Sequence, residues 1–222
     1  MPGRIVTPPL ITETTRNGLV LVDAVNDASV IFKAVPLRMS NAVKRLMLWY
    51  AQLDKPGFYH RYACSVLVGS FKDETSAATA SAEAERYLRT HPAPGVKVPQ
   101  PITGEEQRAF VFAFTVIPLG HITTFWDGDS RSVINRTQPD HQMRDGFVVR
   151  QIALVGLNLF VSTYGEGDNT DPGRAYLNGT IGTDGFRDLD QRIYRDMRQQ
   201  PGFLASPLPR PSGTQSAYES AA

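Results

Sequence analysis

The chain has 222 residues, of which 23 are basic and 22 are acidic, so its net charge of +1 gives no electrostatic reason to expect nucleic acid or an anionic membrane as a partner. Apolar residues make up 41% of the sequence, which is enough for a hydrophobic core, and no apolar run approaches the roughly 20 residues that span a bilayer. A single cysteine excludes an intramolecular disulfide and a multi-cysteine zinc site, and together with an N-terminus that lacks the apolar stretch of a signal peptide it favours a cytoplasmic protein.

The first predicted part of the chain, residues 1–91, mixes strands and helices. Asn17-Gly18 is a strong two-residue turn signal because both residues accept a positive φ, and it predicts a hairpin over 10–25. A β-rich run predicts a further strand at 30–35, which ends before Pro36. The chain is therefore predicted to open with β-structure.

Two helices and one strand are predicted to complete this N-terminal α/β part. Ser40 is a good N-cap, and apolar residues recur at helical spacing over 41–53, which predicts an amphipathic helix lying on a sheet. Residues 58–71 have the composition of a strand. The Ala-rich stretch after Asp73 predicts a helix that runs to about Thr90 and approaches the sheet closely.

Residues 92–107 are rich in proline and predict an extended linker. The next part, 108–202, predicts an antiparallel β-meander covered by a C-terminal amphipathic helix, so the fold class is α+β. The alternative is that all these parts form one domain. Within the meander, the predicted strands are 109–117, 121–126, 132–137, 145–155 and 159–164.

The turns of the meander are predicted from glycine, proline and asparagine. Pro118-Leu119-Gly120 is predicted to close the first strand. Gly156-Leu157-Asn158 lies between two β-rich runs and predicts an antiparallel hairpin. Residues 165–173 are interpreted as a polar loop after the last strand.

The final predicted helix begins at Asp184 and ends at Pro201-Gly202. Its apolar residues are spaced three, four and four apart and so share one face: Phe186, Leu189, Ile193 and Met197. Residues 203–222 are rich in proline, serine and alanine, a composition that cannot bury a core, and they predict a disordered tail.

The polar residues most suited to chemistry lie around the 145–164 hairpin. If the loops before and after this hairpin share one end of the sheet, His141 faces Glu166 or Asp168, and a carboxylate beside an imidazole prepares it for general acid–base catalysis. These three residues form the candidate catalytic group. The candidate ligand-binding residues are Asn135, Arg144, Arg150 and Tyr164. The alternative interpretation is a set of turn-forming residues with a solvated histidine, and neither a metal site nor a cofactor is predicted.

Three functions stay open on the sequence alone. The main prediction is a non-enzymatic interaction or assembly protein, because catalytic motifs are absent and Pro-rich arms often become ordered on a protein partner or in self-association. The alternative is a small-ligand-binding protein or a hydrolase-type enzyme that uses the His141 loop site. An apolar cavity for such a ligand would be lined by Phe110, Phe112, Phe114, Phe125, Trp126, Phe147 and Phe160. A leaderless secreted bacterial effector is the second alternative.

Overall fold

The computed structural model describes residues 35, 37–54, 58–113, 117–169 and 183–204. The hairpin predicted at 10–25, all but the last residue of the strand predicted at 30–35, and residues 205–222 of the predicted tail lie outside these ranges. Within them the chain is an α+β protein whose seven antiparallel strands form one curled sheet.

Three helices and seven strands make up the regular structure of the described residues. The helices are α1 (Asn41–Ala51), α2 (Glu74–Thr90) and α3 (Thr183–Met197). The strands are β1 (Phe58–Phe71), β2 (Gln107–Ala113), β3 (Ile117–Asp127), β4 (Ser132–Thr137), β5 (Met143–Val155), β6 (Asn158–Asn169) and β7 (Phe203–Leu204). None of the helices in these ranges has the length and apolar character that crossing a bilayer requires.

The order of the strands across the sheet is β2-β3-β4-β5-β6-β1-β7. β1 comes from the predicted N-terminal part, yet it pairs with β6 of the meander from Phe58 to Ser70. The two predicted parts of the chain therefore share one sheet.

Local sequence signals account for the first two helices and the strand between them. The Ser40 side chain accepts a hydrogen bond from the Val43 amide at 3.1 Å and begins α1, as predicted. Asp73 accepts from the Ser76 amide at 2.7 Å and begins α2 in the same way. The helix predicted over 41–53, the strand over 58–71 and the helix ending near Thr90 are confirmed.

The cap at Ser40 gives a direct test of this account. Ser40→Ala is expected to lower the free energy of unfolding by about 1 kcal/mol, because the Val43 amide loses its acceptor inside the protein. Urea unfolding measures the change. Ser40→Thr keeps an oxygen at the cap and should recover most of the loss; a loss as large as that of the alanine variant would show that the hydrogen bond is not responsible.

The first strand of the meander ends earlier in the chain than the sequence predicts, and the next strand begins earlier. Pro118 and Gly120 are predicted to close a strand over 109–117, but β2 ends at Ala113 and β3 begins at Ile117, so both lie inside a strand. The pairing register shifts there and leaves Leu119 as an extra residue opposite β2. Gly120 has a φ of +106°, which glycine adopts readily. The turn-forming residues are thus used in a β-bulge.

β6 is longer than predicted. Residues 165–169, interpreted as the start of a polar loop, continue the strand to Asn169. The backbone of Gly165 pairs with Tyr62 of β1 on one side and Val148 of β5 on the other. Hydrogen bonds from two neighbouring strands hold this glycine-rich, acidic stretch in place, and its composition alone does not reveal them.

Separate cores lie on the two faces of the sheet. On one face, called the α1 face, Val43 and Tyr50 of α1 pack against Phe147 and Tyr164. The opposite face, called the α2/α3 face, is covered by α2 and α3, and Ile193 of α3 belongs to its core. Because successive residues of a strand point to opposite faces, β5 and β6 contribute to both cores.

The segment between α2 and β2, predicted as an extended linker, is held against the rest of the described structure. Ala93 and Val96 are buried in a small cluster with residues of β2 and β3. The Ile102 amide donates to the Arg89 carbonyl at 2.9 Å, and the Trp126 amide donates to the Thr103 carbonyl at 2.7 Å. These contacts fix the path of residues 92–103 beside the sheet.

The first two residues of the predicted disordered tail form a strand. Phe203 and Leu204 form β7, which pairs with Phe71 and Ser70 at the end of β1. The Phe203 ring lies 5.9 Å from that of Phe71 and 6.0 Å from that of Tyr194, measured between centroids. This aromatic packing holds the segment on the sheet despite the proline and glycine that precede it.

Candidate functional site

A buried ion pair joins β5 to α3 on the α2/α3 face. Arg150 donates from Nη2 to Oδ1 of Asp190, and the two side chains are 0% and 1% exposed. The Arg150 Nε lies 3.4 Å from the Thr163 hydroxyl of β6, and the guanidinium carbon lies 5.4 Å from the centre of the Phe186 ring. The pair therefore sits where two strands meet the third helix.

Four buried polar atoms on this face have no hydrogen-bond partner among the described residues: Thr124 Oγ1, Asn135 Oδ1, Arg150 Nη1 and Asp190 Oδ2. Thr124 and Asn135 are directly opposite each other in the β3–β4 ladder. Asn135 is in turn opposite Val148, two residues from Arg150. Cross-strand and diagonal neighbours lie within roughly 8 Å, so the four atoms belong to one region of the interior.

The neighbouring side chains make this region mostly apolar. Phe186 and Leu189 of α3 are buried together and pack against Val148. Asn135 Nδ2 donates to the Pro92 carbonyl at 2.7 Å, which fixes the amide and leaves its oxygen as an acceptor. We call Thr124, Asn135, Arg150 and Asp190, with these apolar neighbours, the interior site.

Burial determines the electrostatics of the interior site. Loss of hydration raises the pKa of Asp190 to about 6, although the neighbouring Arg150 charge and hydrogen bond act in the opposite direction. Each buried polar atom without a partner costs roughly 1–3 kcal/mol relative to one that is hydrogen-bonded. The site thus offers one donor at Arg150, acceptors at Asn135 and Asp190, and a hydroxyl at Thr124 that can do either.

The structure separates the predicted ligand-binding residues. Asn135 and Arg150 both belong to the interior site. Tyr164 lies on the α1 face, where its hydroxyl donates to Glu166 Oε1 two residues along the same strand. The side chain of Arg144 lies outside what the structure describes. Thr124 and Asp190 were missed, since a threonine in a strand and an aspartate in an amphipathic helix carry no functional signal in sequence.

Of the predicted catalytic residues, His141 lies in the loop before β5 and is buried, while Glu166 and Asp168 lie in β6. The backbone of His141 is fixed by a 2.8 Å hydrogen bond from its amide to the Gln138 carbonyl. Pairing of His141 with Glu166 or Asp168 stays a prediction.

A histidine–carboxylate pair is present elsewhere in the same part of the fold. His121 Nδ1 of β3 lies 2.5 Å from Asp140 Oδ2, in the loop that precedes β5. Asp140 lies next to the predicted His141, but its partner comes from the neighbouring strand, 19 residues earlier. No sequence spacing indicates this pair, because it depends on how the loop folds back over β3.

The aromatic residues predicted to line one cavity lie in different environments. Phe147 is buried on the α1 face, Trp126 packs on the opposite face, and Phe110 and Phe112 are exposed. Phe114 lies outside the described residues. Adjacent positions such as Phe125 and Trp126 in β3 point to opposite faces of the sheet, so these residues cannot line a single cavity.

No group of three or more His, Cys, Asp or Glu side chains is placed to hold a metal ion within the residues that the structure describes. No family model matches the chain, and no curated protein matches it.

Several solved structures are similar in fold. One is a START superfamily protein from Mycobacterium smegmatis, with 12% identity and a TM-score of 0.43 over 63% of this chain and 97% of that one. Another is the Zhui aromatase/cyclase from Streptomyces sp. R1128, with 13% identity and a TM-score of 0.43 over 64% and 94%. A member of the major latex protein family from Arabidopsis thaliana has 9% identity and a TM-score of 0.37 over 63% and 94%. At these values the likeness is one of fold only.

The main functional prediction, a non-enzymatic interaction or assembly protein, is wrong, because these comparisons contradict it. The solved structures of similar fold include a START superfamily protein, an aromatase/cyclase and a member of the major latex protein family. The prediction depended on Pro-rich segments at the two ends of the chain, and the first nine residues and residues 205–213 lie outside the described structure. Terminal composition carries no information about the sheet and helices between the ends.

Proposed function

We propose that the protein binds a small, mainly apolar molecule carrying a hydroxyl or carbonyl group, and that α3 closes the interior site over the sheet. The observation that supports this most directly is the set of four buried polar atoms without hydrogen-bond partners among the described residues. Buried polar atoms in proteins are normally satisfied, and a group of unsatisfied ones is typical of a site that a ligand or water completes.

The composition of the interior site defines the chemistry of this ligand. One hydroxyl group could accept hydrogen bonds from Arg150 Nη1 and Thr124 Oγ1 and donate one to Asn135 Oδ1. Phe186 and Leu189 would contact the apolar part of the molecule. A few convergent polar groups in an apolar surround are typical of small-molecule sites.

Binding is tested with 2-naphthol, an aromatic molecule with one hydroxyl, and with naphthalene, which lacks it. We expect 2-naphthol to bind more tightly, measured by its fluorescence during titration of the protein. Thr124→Val replaces the buried hydroxyl, which has no partner in the described part of the chain, by a methyl group of similar size. The variant should weaken 2-naphthol binding by about five- to tenfold, the value of one hydrogen bond, and leave naphthalene binding nearly unchanged.

Thr79→Val is the matched control, because Thr79 lies on the exposed side of α2. It should bind both compounds like the unchanged protein. The melting temperature of Thr124→Val should not fall, since the substitution removes a buried hydroxyl that has no partner among the described residues. The proposed site would be contradicted if neither compound binds. It would also be contradicted if Thr124→Val prefers 2-naphthol over naphthalene by the same factor as the unchanged protein.

A further inference from the structure

His121 and Asp140 form a close pair on the α1 face, on the side of the sheet opposite the interior site. His121 Nδ1 lies 2.5 Å from Asp140 Oδ2, and this hydrogen bond lowers the pKa of Asp140 below its usual value. A charged carboxylate accepts the Nδ1 hydrogen and so favours the tautomer in which Nε2 is the unprotonated ring nitrogen. Nε2 has no partner among the described residues, and it is thus available as a base.

The backbone around this pair is held firmly. The Gln138 amide donates to the His121 carbonyl at 3.0 Å, and the Gln142 amide donates to the Leu119 carbonyl at 2.6 Å. Between them, Asp140 and His141 lie directly against Gly120, where a Cβ would be 2.4 Å from the Asp140 carbonyl oxygen. The pair therefore rests on paired backbone rather than on a free loop.

The side chains around the imidazole supply a binding surface. The Phe110 ring of β2 meets the His121 ring edge-on at 4.7 Å, and the Phe112 ring lies 4.8 Å from that of Phe110. Both phenylalanines are exposed, at 38% and 39%. Arg108 Nη2 lies 3.6 Å from Asp140 Oδ2 and adds a positive charge beside the pair. An accessible base, two aromatic rings and a cation thus occupy one patch.

We propose that this patch hydrolyses carboxylic esters of aromatic alcohols, with His121 as the general base. The aromatic group of the ester would pack on Phe110 and Phe112. His121 Nε2 removes a proton from a water molecule while the water oxygen bonds to the acyl carbon. The bond between the acyl carbon and the aryl oxygen then breaks, and the proton passes from Nε2 to the departing aryl oxygen. The products are one carboxylic acid and one phenol, and water is the only other reactant.

This activity does not depend on the proposed ligand at the interior site. Thr123, two residues from His121, lies in register with Arg136 of β4 and Phe147 of β5, which packs against α1. Arg150, three residues from Phe147 in the same strand, points to the opposite face. Failure of one proposal therefore leaves the other standing.

The test uses p-nitrophenyl acetate with the full chain. His121→Asn should reduce the hydrolysis rate at least about tenfold, because general-base catalysis typically contributes 10²–10⁴-fold. His91→Asn is the matched control: His91 stacks on Tyr87 at the end of α2 and lies outside the patch. Its rate should equal that of the unchanged protein. Equal rates for the two variants, or a rate in the unchanged protein no higher than that of free imidazole at the same concentration, would overturn the proposal.

Three further variants distinguish a role in the reaction from a structural one. Asp140→Asn should lower kcat with little change in KM, because Asp140 is a positioning residue that orients the imidazole. Phe110→Leu should raise KM with little change in kcat, since it removes an aromatic surface for the substrate. Added imidazole should restore part of the activity of His121→Ala. Lack of this rescue would contradict the assigned roles. So would the same change of both kcat and KM in Asp140→Asn and in Phe110→Leu.

Discussion

Gly120→Ala is expected to lower the free energy of unfolding by roughly 2–4 kcal/mol. Gly120 has a φ of +106°, where a side chain is strained, and no space exists for a Cβ. An ideal Cβ would lie 2.4 Å from the Asp140 carbonyl oxygen and 2.6 Å from the His141 Cα. Both obstacles are backbone atoms, so the loop itself must move. Denaturant unfolding followed by circular dichroism measures the loss.

Gly156→Ala provides the control for this prediction. Gly156 also has a positive φ, of +59°, but no atom lies within 4 Å of the position that a Cβ would occupy there. Its substitution therefore tests the backbone conformation without the collision, and the expected cost is roughly 1 kcal/mol. Equal losses at Gly120 and Gly156 would show that the close approach of the 138–142 loop to β3 is not important for stability.

Asp190→Ala is expected to lower the free energy of unfolding by roughly 3–5 kcal/mol at neutral pH, because it leaves the fully buried Arg150 without its counter-charge. The double variant Arg150→Met with Asp190→Leu removes both charges and should recover most of the loss.

Asp188→Ala is the matched control on the same helix. Its partner Arg192 is solvent-exposed, and loss of that surface pair should change stability by no more than about 0.5 kcal/mol. If Asp190→Ala is no more damaging than Asp188→Ala, the ion pair does not hold α3 on the sheet.

The same aspartate predicts a dependence of stability on pH. The pKa of Asp190 is raised by burial from 3.8 to about 6, so between these values the folded protein binds more protons than the unfolded one. The free energy of unfolding should therefore fall as pH rises from about 4 to about 6, by up to about 3 kcal/mol. The exposed carboxylates of Asp73 and Asp140 have lowered pKa values, so their protonation affects stability only at pH values below this range. Urea unfolding at pH 4.5 and 7 should show the fall in the unchanged protein, and Asp190→Asn should lack it; the same fall in both would assign it to another group.

Much of the local structure was predictable because neighbouring residues determine it. The serine before α1 and the aspartate before α2 are caps whose acceptors lie three residues from the amides they bind. The strand over 132–137 matches β4 at both ends, since alternation and flanking turn residues are local signals. The apolar positions of the last helix, Phe186 to Met197, are all buried.

The candidate sites could not be predicted to the same extent. The sequence predicts a group of His141, Glu166 and Asp168 because loops before and after one hairpin share an end of the sheet, and this argument identifies a region of the fold without specifying which side chains are in contact. The pair of His121 and Asp140 is a separate one, and it forms because a bulge at Leu119 and a glycine without a side chain let the loop lie on β3. Neither the bulge nor this close approach is indicated by a regular spacing of residues in the sequence.

By itself, the sequence determined the helices, most of the strands and the α+β class, because hydrogen bonds within a few residues and the periods of apolar residues specify them. Only the tertiary structure decided which polar residues meet. Arg150 and Asp190 are 40 positions apart, and they pair because the register of β5 and the packing of α3 bring them together inside the protein. Register and helix placement depend on the sum of many weak contacts across the whole sheet, so no single motif in the chain encodes the interior site.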